Sequence, residues 1–337
     1  PLPVGVPPHW THAFSGARID QTASILTRWS ALWAPRLAFN AMAEAPASAS
    51  TAVPASEIRV RVGFASSWFC NSAIGRVMAG AMARLDPTRF ETFVYLLPSA
   101  GGVIRRDFTT EDMIHAAAQT RVLAGDTASI RASIAADRLD ILVFTDIGME
   151  PPSYFLAFSR MAPVQIVFWG HPLTSGIPDS VDYYLLPGGS YRDGETESAA
   201  ARYTEQLVRL DTMATHYVKV YWDPSQRATL FAAAAESVPA LRLLADDDGP
   251  RAGLRLYAVS QHCRKFHPRF DAALVRILSA DPGARLIVRH CAPAADAGPT
   301  FLQRLANYSG AAFAERVVAV PAMALDQYLA ILATAHV

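Results

Sequence analysis

The chain has 337 residues, 51% of them hydrophobic and 18% charged, with 30 basic side chains against 30 acidic ones and a formal net charge of zero. That length accommodates two domains with a core in each, the low charge excludes a largely disordered chain, and the neutral balance offers no electrostatic footprint for nucleic acid. Three scattered cysteines, Cys70, Cys263 and Cys291, suit neither a disulfide framework nor a structural zinc site, so a reducing, cytoplasmic setting is expected, nucleocytoplasmic if the source is eukaryotic.

No apolar run reaches the ~18 residues of a membrane helix, and stretches such as 141–144 and 164–169 are of strand length. The start lacks a basic region followed by an apolar one, which predicts no signal peptide; opening on Pro, it reads as part of a longer sequence. Among the basic side chains only Lys219 and Lys265 are lysine, so each needs a reason.

In chain order, 1–56 predicts one amphipathic helix over about 19–43, followed by an Ala/Ser/Pro linker. From 57 to 212 apolar strands alternate with helices. The expected strands are 58–66, 90–96, 120–123, 139–145, 163–169 and 182–186, which implies a parallel α/β sheet. Ile74, Val77, Met78, Met82 and Leu85 recur at helical spacing after the first strand, ahead of Asp86-Pro87. Residues 213–252, with an Ala-rich helix, Asp246-Asp247-Asp248 and Gly249-Pro250, read as a connection. The alternation restarts over 253–337, with strands at 254–259, 284–289 and 316–320 and helices from Pro268, near Phe301 and after Asp326. Two such domains leave a cleft at the carboxyl ends of their strands, where open sheets bind ligands.

Two loops at strand ends carry chemistry. Gly170-His171-Pro172-Leu173-Thr174-Ser175-Gly176 offers a proton carrier, hydroxyls and backbone N–H groups to an anionic ligand. The same residues also suit a plain turn in which His171 hydrogen-bonds locally. Gln261-His262-Cys263-Arg264-Lys265 precedes a helix start, where the dipole favours phosphate and an ammonium could neutralise a diphosphate. Its plain alternative is a solvated pair, Arg264 and Lys265. His262, Cys263 and His267 lack a fourth metal ligand nearby, so no metal is expected. G-x-G-x-x-G, the P-loop and G-x-S-x-G patterns are all missing, which disfavours a NAD-binding dehydrogenase, a P-loop kinase and an esterase.

Residues 58–97 (IRVRVGFASSWFCNSAIGRVMAGAMARLDPTRFETFVYLL), 162–186 (APVQIVFWGHPLTSGIPDSVDYYLL), 202–210 (RYTEQLVRL) and 256–289, around YAVSQHCRKFHP, resemble the catalytic region of the O-linked N-acetylglucosamine transferase and SPINDLY family. The resemblance spans nearly everything from residue 57 onward. It implies a GT-B architecture of two Rossmann-like domains. Its implied activity is an inverting, metal-independent transfer of a sugar, N-acetylglucosamine from UDP-GlcNAc, to Ser or Thr hydroxyls of proteins. The nucleotide sugar is then a co-substrate and no cofactor is implied. Relatives using GDP-fucose or an Asn acceptor, and a non-catalytic nucleotide- or protein-binding descendant, are the alternatives.

On matching positions Lys265 is similar to the lysine that neutralises the departing diphosphate, with Gln261 and His262 lining the same pocket. Met323 lies in the strand-end loop that reads the uracil edge, and Tyr328 falls where the family places a ring against the base. Asn71, Ser72, His171, Pro172, Thr174 and Ser175 belong to loops of the first domain's strand ends. Ser66-Ser67-Trp68-Phe69-Cys70-Asn71-Ser72 departs from the family's S-S-x-F-x-N-H: Ser72 replaces a histidine, leaving His171, or a water, to move the proton. The sequence also stops before the family's next strand and its hydroxyl-rich loop, so the second domain is expected to be incomplete. No tetratricopeptide repeats precede it here.

Overall fold

The computed structural model describes residues 19–37, 39–40, 59–169, 173–191, 195–213, 215–216, 223–244, 253–261, 266, 268–289, 301–309, 313 and 315–335. The chain divides into two compact units, one ending at Lys219 and the other running from Val220 to Val337.

The first unit opens with α1 (Ile19–Leu37) and the two-residue β1 (Phe39–Asn40), then β2 (Val60–Ser66), α2 (Ala73–Met82), β3 (Phe90–Leu96), α3 (Phe108–Ala116), β4 (Gln119–Val122), α4 (Thr127–Ala136) and β5 (Ile141–Phe144). It continues through α5 (Pro151–Leu156), β6 (Ser159–Arg160), β7 (Val164–Phe168), β8 (Tyr183–Leu186), α6 (Thr196–Ala200) and β9 (Gln206–Arg209). Seven strands form one sheet in the order β4-β3-β2-β5-β7-β8-β9, and every neighbouring pair is parallel. β1 pairs separately with β6.

Both faces of this sheet are buried, which is why its central strands read as continuous apolar runs. Successive residues turn to opposite sides. Val94, Leu96 and Val143 join Ile74, Val77, Met78 and Met82 of α2 and Met113 of α3. Phe93, Tyr95, Leu142 and Phe144 join Ile130 and Ile134 of α4 and Tyr154 and Phe155 of α5.

Three elements lie elsewhere than the sequence indicates. The helix of the N-terminal segment belongs to the first unit: Ala23, Leu26 and Ser30 of α1 are buried, and the Ser30 hydroxyl donates to the Gly176 carbonyl. β9 has no counterpart among the expected strands: it has four residues, with Gln206 and Arg209 exposed at its ends, so no apolar run marks it. The helix read as part of a connection, α7 (Arg227–Ser237), is core of the second unit. Phe231, Ala234, Ala235 and Val238 pack with Leu256, Ile287, Val318, Val320, Ala330 and Ile331. Its i, i+3, i+4, i+7 stripe is carried partly by alanines, which blur the apolar contrast while letting neighbours approach closely.

After α7 come β10 (Arg255–Val259), α8 (Pro268–Ala280), β11 (Ala284–Arg289), α9 (Phe301–Ser309), β12 (Val317–Val320) and α10 (Leu325–Leu332). The three strands are parallel in the order β10-β11-β12. Residues of α8 and α9 cover one face and those of α7 and α10 the other, as successive crossovers of one hand require.

Candidate functional site

In the large sheet the strand order reverses between β2 and β5. Chain connections depart in opposite directions there, leaving a crevice at the carboxyl ends of these two strands. The loop after β2 returns tightly over the first turn of α2, where a Cβ on Gly75 would collide with the Cys70 carbonyl. Burial, then the nearby Asp107 charge, pushes the Cys70 thiol up from its ordinary range, which keeps it an unreactive thiol.

This loop is braced from several sides. The Ser67 amide donates to Asp146 Oδ2 at 2.9 Å and the Ser67 hydroxyl to the Pro98 carbonyl at 2.8 Å. Arg105 Nη1 donates to the Ser67 carbonyl at 3.0 Å while Nη2 pairs with Glu150 Oε1 at 3.0 Å, and the guanidinium lies 4.1 Å over the Trp68 ring. Asp107 caps α3 and also accepts the Asn71 amide at 2.6 Å; the Thr110 hydroxyl donates to the Phe69 carbonyl at 2.6 Å. Asn71 Oδ1 accepts from Arg76 Nε at 2.8 Å. Ser72 is the N-cap of α2, accepting the Gly75 amide at 3.1 Å and donating to the Trp68 carbonyl at 2.9 Å. The result is a preorganised strand-end segment.

Thr174 and Ser175 are placed differently from the expectation that their hydroxyls face a ligand. Both are buried. Thr174 Oγ1 donates to Glu205 Oε2 at 2.7 Å, the Ser175 amide donates to Glu205 Oε1 at 2.7 Å, and the Ser175 hydroxyl donates to that same oxygen. Glu205 stands just before β9, whose first residue is level with the first residue of β8. The segment is therefore drawn away from the carboxyl end of β7 toward the strand starts. These hydroxyls satisfy a buried carboxylate, whose remaining alternative is a costly unpaired charge.

In the second unit, Gln261 is exposed just past β10 and Arg289 is exposed at the end of β11. Tyr328 on α10 reaches back to donate to the Ser260 carbonyl at 3.3 Å; burial raises its phenol while the Arg289 charge pulls it down. Tyr328 and Arg289 thus share the carboxyl edge of this sheet with Gln261. Met323, in the loop after β12, packs its partly buried side chain against the α7–α10 core.

His171, Pro172, His262 and Lys265, together with the weaker metal candidates Cys263 and His267, lie outside the described residues. Among the described residues, no cluster of His, Cys, Asp and Glu could hold a metal ion, and no helix is long and apolar enough to cross a membrane. The strand-end segments expected on the cleft side include 146–149, which opens with Asp146, but the rest of the bracing set, Arg105, Asp107, Glu150 and Glu205, is not singled out by the sequence. Of these, Asp107 carried a signal, as an Asp three residues before Thr110 at a helix start.

The family model described as "Glycosyl transferase family 41" matches residues 2–216. A protein of Solanum lycopersicum named "Probable UDP-N-acetylglucosamine--peptide N-acetylglucosaminyltransferase SPINDLY" is 24% identical over 232 residues, covering 69% of this chain and 22% of that protein. A mutant O-GlcNAc transferase of Thermobaculum terrenum has a similar structure, with a TM-score of 0.66 and 21% identity over 96% of this chain and 54% of that one. The chain spans about half the solved transferase and about a fifth of the plant relative. The structural likeness shows the fold: GT-B, with two Rossmann-like parallel-sheet units. Its match beginning at residue 2 also takes in α1 and so agrees with the burial of that helix in the first unit. With the match running through all seven strands of the large sheet, the chain belongs to glycosyl transferase family 41.

Proposed function

We propose that the chain carries the catalytic region of an enzyme that moves N-acetylglucosamine from UDP-GlcNAc to Ser or Thr hydroxyls of proteins. The observation that carries this reading is membership of family 41 across residues 2–216. The plant relative's name supplies the donor and the peptide acceptor. In this reading the acceptor hydroxyl attacks the anomeric carbon on the face opposite the diphosphate, the sugar–phosphate bond breaks, and configuration inverts. Lys265 neutralises the departing UDP, Gln261 and His262 line the donor pocket, and Tyr328 flanks the uracil. His171, or a water, takes the hydroxyl proton. No metal or cofactor enters the scheme; the nucleotide sugar and the protein acceptor are the partners.

A second reading, a descendant that binds but does not transfer, is favoured by one observation. Position 72, where the family commonly has a histidine, holds a serine whose hydroxyl is occupied as a helix cap. Transfer assays on the full gene product with Ser/Thr and Asn peptides, beside calorimetric titration with UDP, GDP and their sugars, separate the possibilities. Turnover with UDP-GlcNAc is expected, and Lys265→Ala should lower it about 10²- to 10³-fold, as for other groups that stabilise developing charge. Nucleotide binding without turnover supports the second reading, and binding of none of these ligands removes the transferase and leaves only a protein-binding descendant.

A further inference from the structure

One carboxyl group in the crevice between β2 and β5 is more costly than the fold requires. Asp146 follows β5, is 1% exposed, and accepts the Ser67 amide through Oδ2. Its other oxygen, Oδ1, is buried with no hydrogen-bond partner among the described residues, and so is the neighbouring Thr145 hydroxyl. The sheet does not need a charge there. An asparagine has nearly the same shape and could accept the Ser67 amide equally well through its carbonyl. Burying an ionised carboxylate with one oxygen unpaired costs stability. A costly titratable group at the point where open sheets bind ligands marks function.

The groups that face Asp146 come from two elements. Ser66 and Ser67 approach from the end of β2, Ser153 from α5, and Glu150 from the start of α5. Burial acts most strongly and lifts the carboxyl to about 6, the Ser67 amide and the two hydroxyls oppose it, and the Glu150 charge adds to the rise. The Arg105 guanidinium is held by Glu150 and by the Ser67 carbonyl.

We propose that Asp146 is a positioning residue whose charge state, acting through the Ser67 amide, sets how tightly the 66–72 loop carrying Asn71 is held at the crevice. Ionised, Asp146 accepts a charge-assisted hydrogen bond; neutral, it is a weaker acceptor and its free oxygen can carry the proton as a donor. The inference concerns the loop itself and rests on the transferase reading only for its effect on turnover.

Hydrogen–deuterium exchange of the full chain between pH 5 and 7.5, corrected for the intrinsic pH dependence of exchange, tests it without any substrate. Protection of the 66–72 amides against local openings, which break the Ser67 bond while Asp146 stays buried, should rise on the order of fivefold across this range in the wild type, the difference between a neutral and a charge-assisted hydrogen bond, whereas global unfolding, which hydrates Asp146, follows the opposite trend. It should be flat in Asp146→Asn, which keeps the side-chain shape and should melt no lower than the wild type, and the response should return in Asp146→Glu. A flat wild-type profile, or the same pH response in Asp146→Asn, overturns the proposal. In the active enzyme the acid limb of the kcat profile should flatten in Asp146→Asn with KM for the donor unchanged. If the exchange results appear as expected but neither protein turns over, positioning stands and the transferase reading fails.

Discussion

Ser72 Oγ accepts the Gly75 amide and donates to the Trp68 carbonyl, so one hydroxyl closes the β2 loop and starts α2. A histidine there has no comparable short oxygen to offer the helix start. Ser72→His should therefore lower stability by about 1 kcal/mol, the usual cost of losing an N-cap, whereas Ser72→Asp should keep it. Urea unfolding of the two variants beside the wild type measures this, and a Ser72→His protein as stable as the wild type would remove the capping role. The same result bears on catalysis: any gain in transfer from a proton carrier at position 72 has to be read against this loss. At this scale the sequence shows identities but not directions. Thr174 and Ser175 read as ligand-facing hydroxyls in a Gly-containing loop; their partner, Glu205, lies 31 and 30 residues on, and nothing local announces it.

Among the elements, α1 shows most clearly what a helical period contains. Its amphipathic spacing is visible in the sequence, but the surface it covers belongs to residues about 150 positions later. Leu26 is fully buried, and its backbone lies against Gly176, where φ is +74° and an added Cβ would come within 2.8 Å of the Leu26 carbonyl group. Only glycine meets both conditions without strain. Leu26→Ala should destabilise the first unit by about 2 to 5 kcal/mol, and Gly176→Ala should loosen α1 through clash and backbone strain together. Limited proteolysis is a direct reading, since either variant should release cleavage within α1 before the rest of the unit is cut. Unchanged resistance in both would mean that α1 merely rests on the surface. Central strands such as β2, β3 and the short, wholly apolar β5 are legible because burial on both faces writes itself into composition. β9 and α7 were not, one being a four-residue edge strand and the other an alanine-rich helix whose role depends on its neighbours.

Across the whole molecule, two carboxyl groups with opposite shifts sit one in each unit, so acid should act on the units in opposite senses. Asp146 in the first unit is raised to about 6, above its value in an unfolded chain near 3.9. Between these values the native state holds the proton that the unfolded state has lost, so this group's contribution to stability falls as pH rises and is regained on acidification. Ionising Asp146 in place costs roughly 3 kcal/mol more than ionising it in the unfolded chain. Asp281 in the second unit is lowered to about 2, first by the Arg255 hydrogen bonds and then by the Tyr257 hydroxyl, against the effect of burial. Its stabilisation is present above pH ~4 and is lost as pH falls toward ~2. Trp10, Trp29, Trp33, Trp68 and Trp169 precede Lys219 and only Trp222 follows it, so indole emission reports mainly the first unit. By that signal Asp146→Asn should be more stable than the wild type at pH 7, with the difference shrinking as pH drops toward 4. Far-UV circular dichroism should show Asp281→Asn weaker than the wild type at pH 7 and converging with it near pH 2. Comparing each variant with the wild type removes the histidines and other groups common to both. A difference for Asp146→Asn that grows on acidification would mean that its carboxyl is not held neutral by burial, and the pH window in which it loosens the loop would lie below that of an ordinary aspartate.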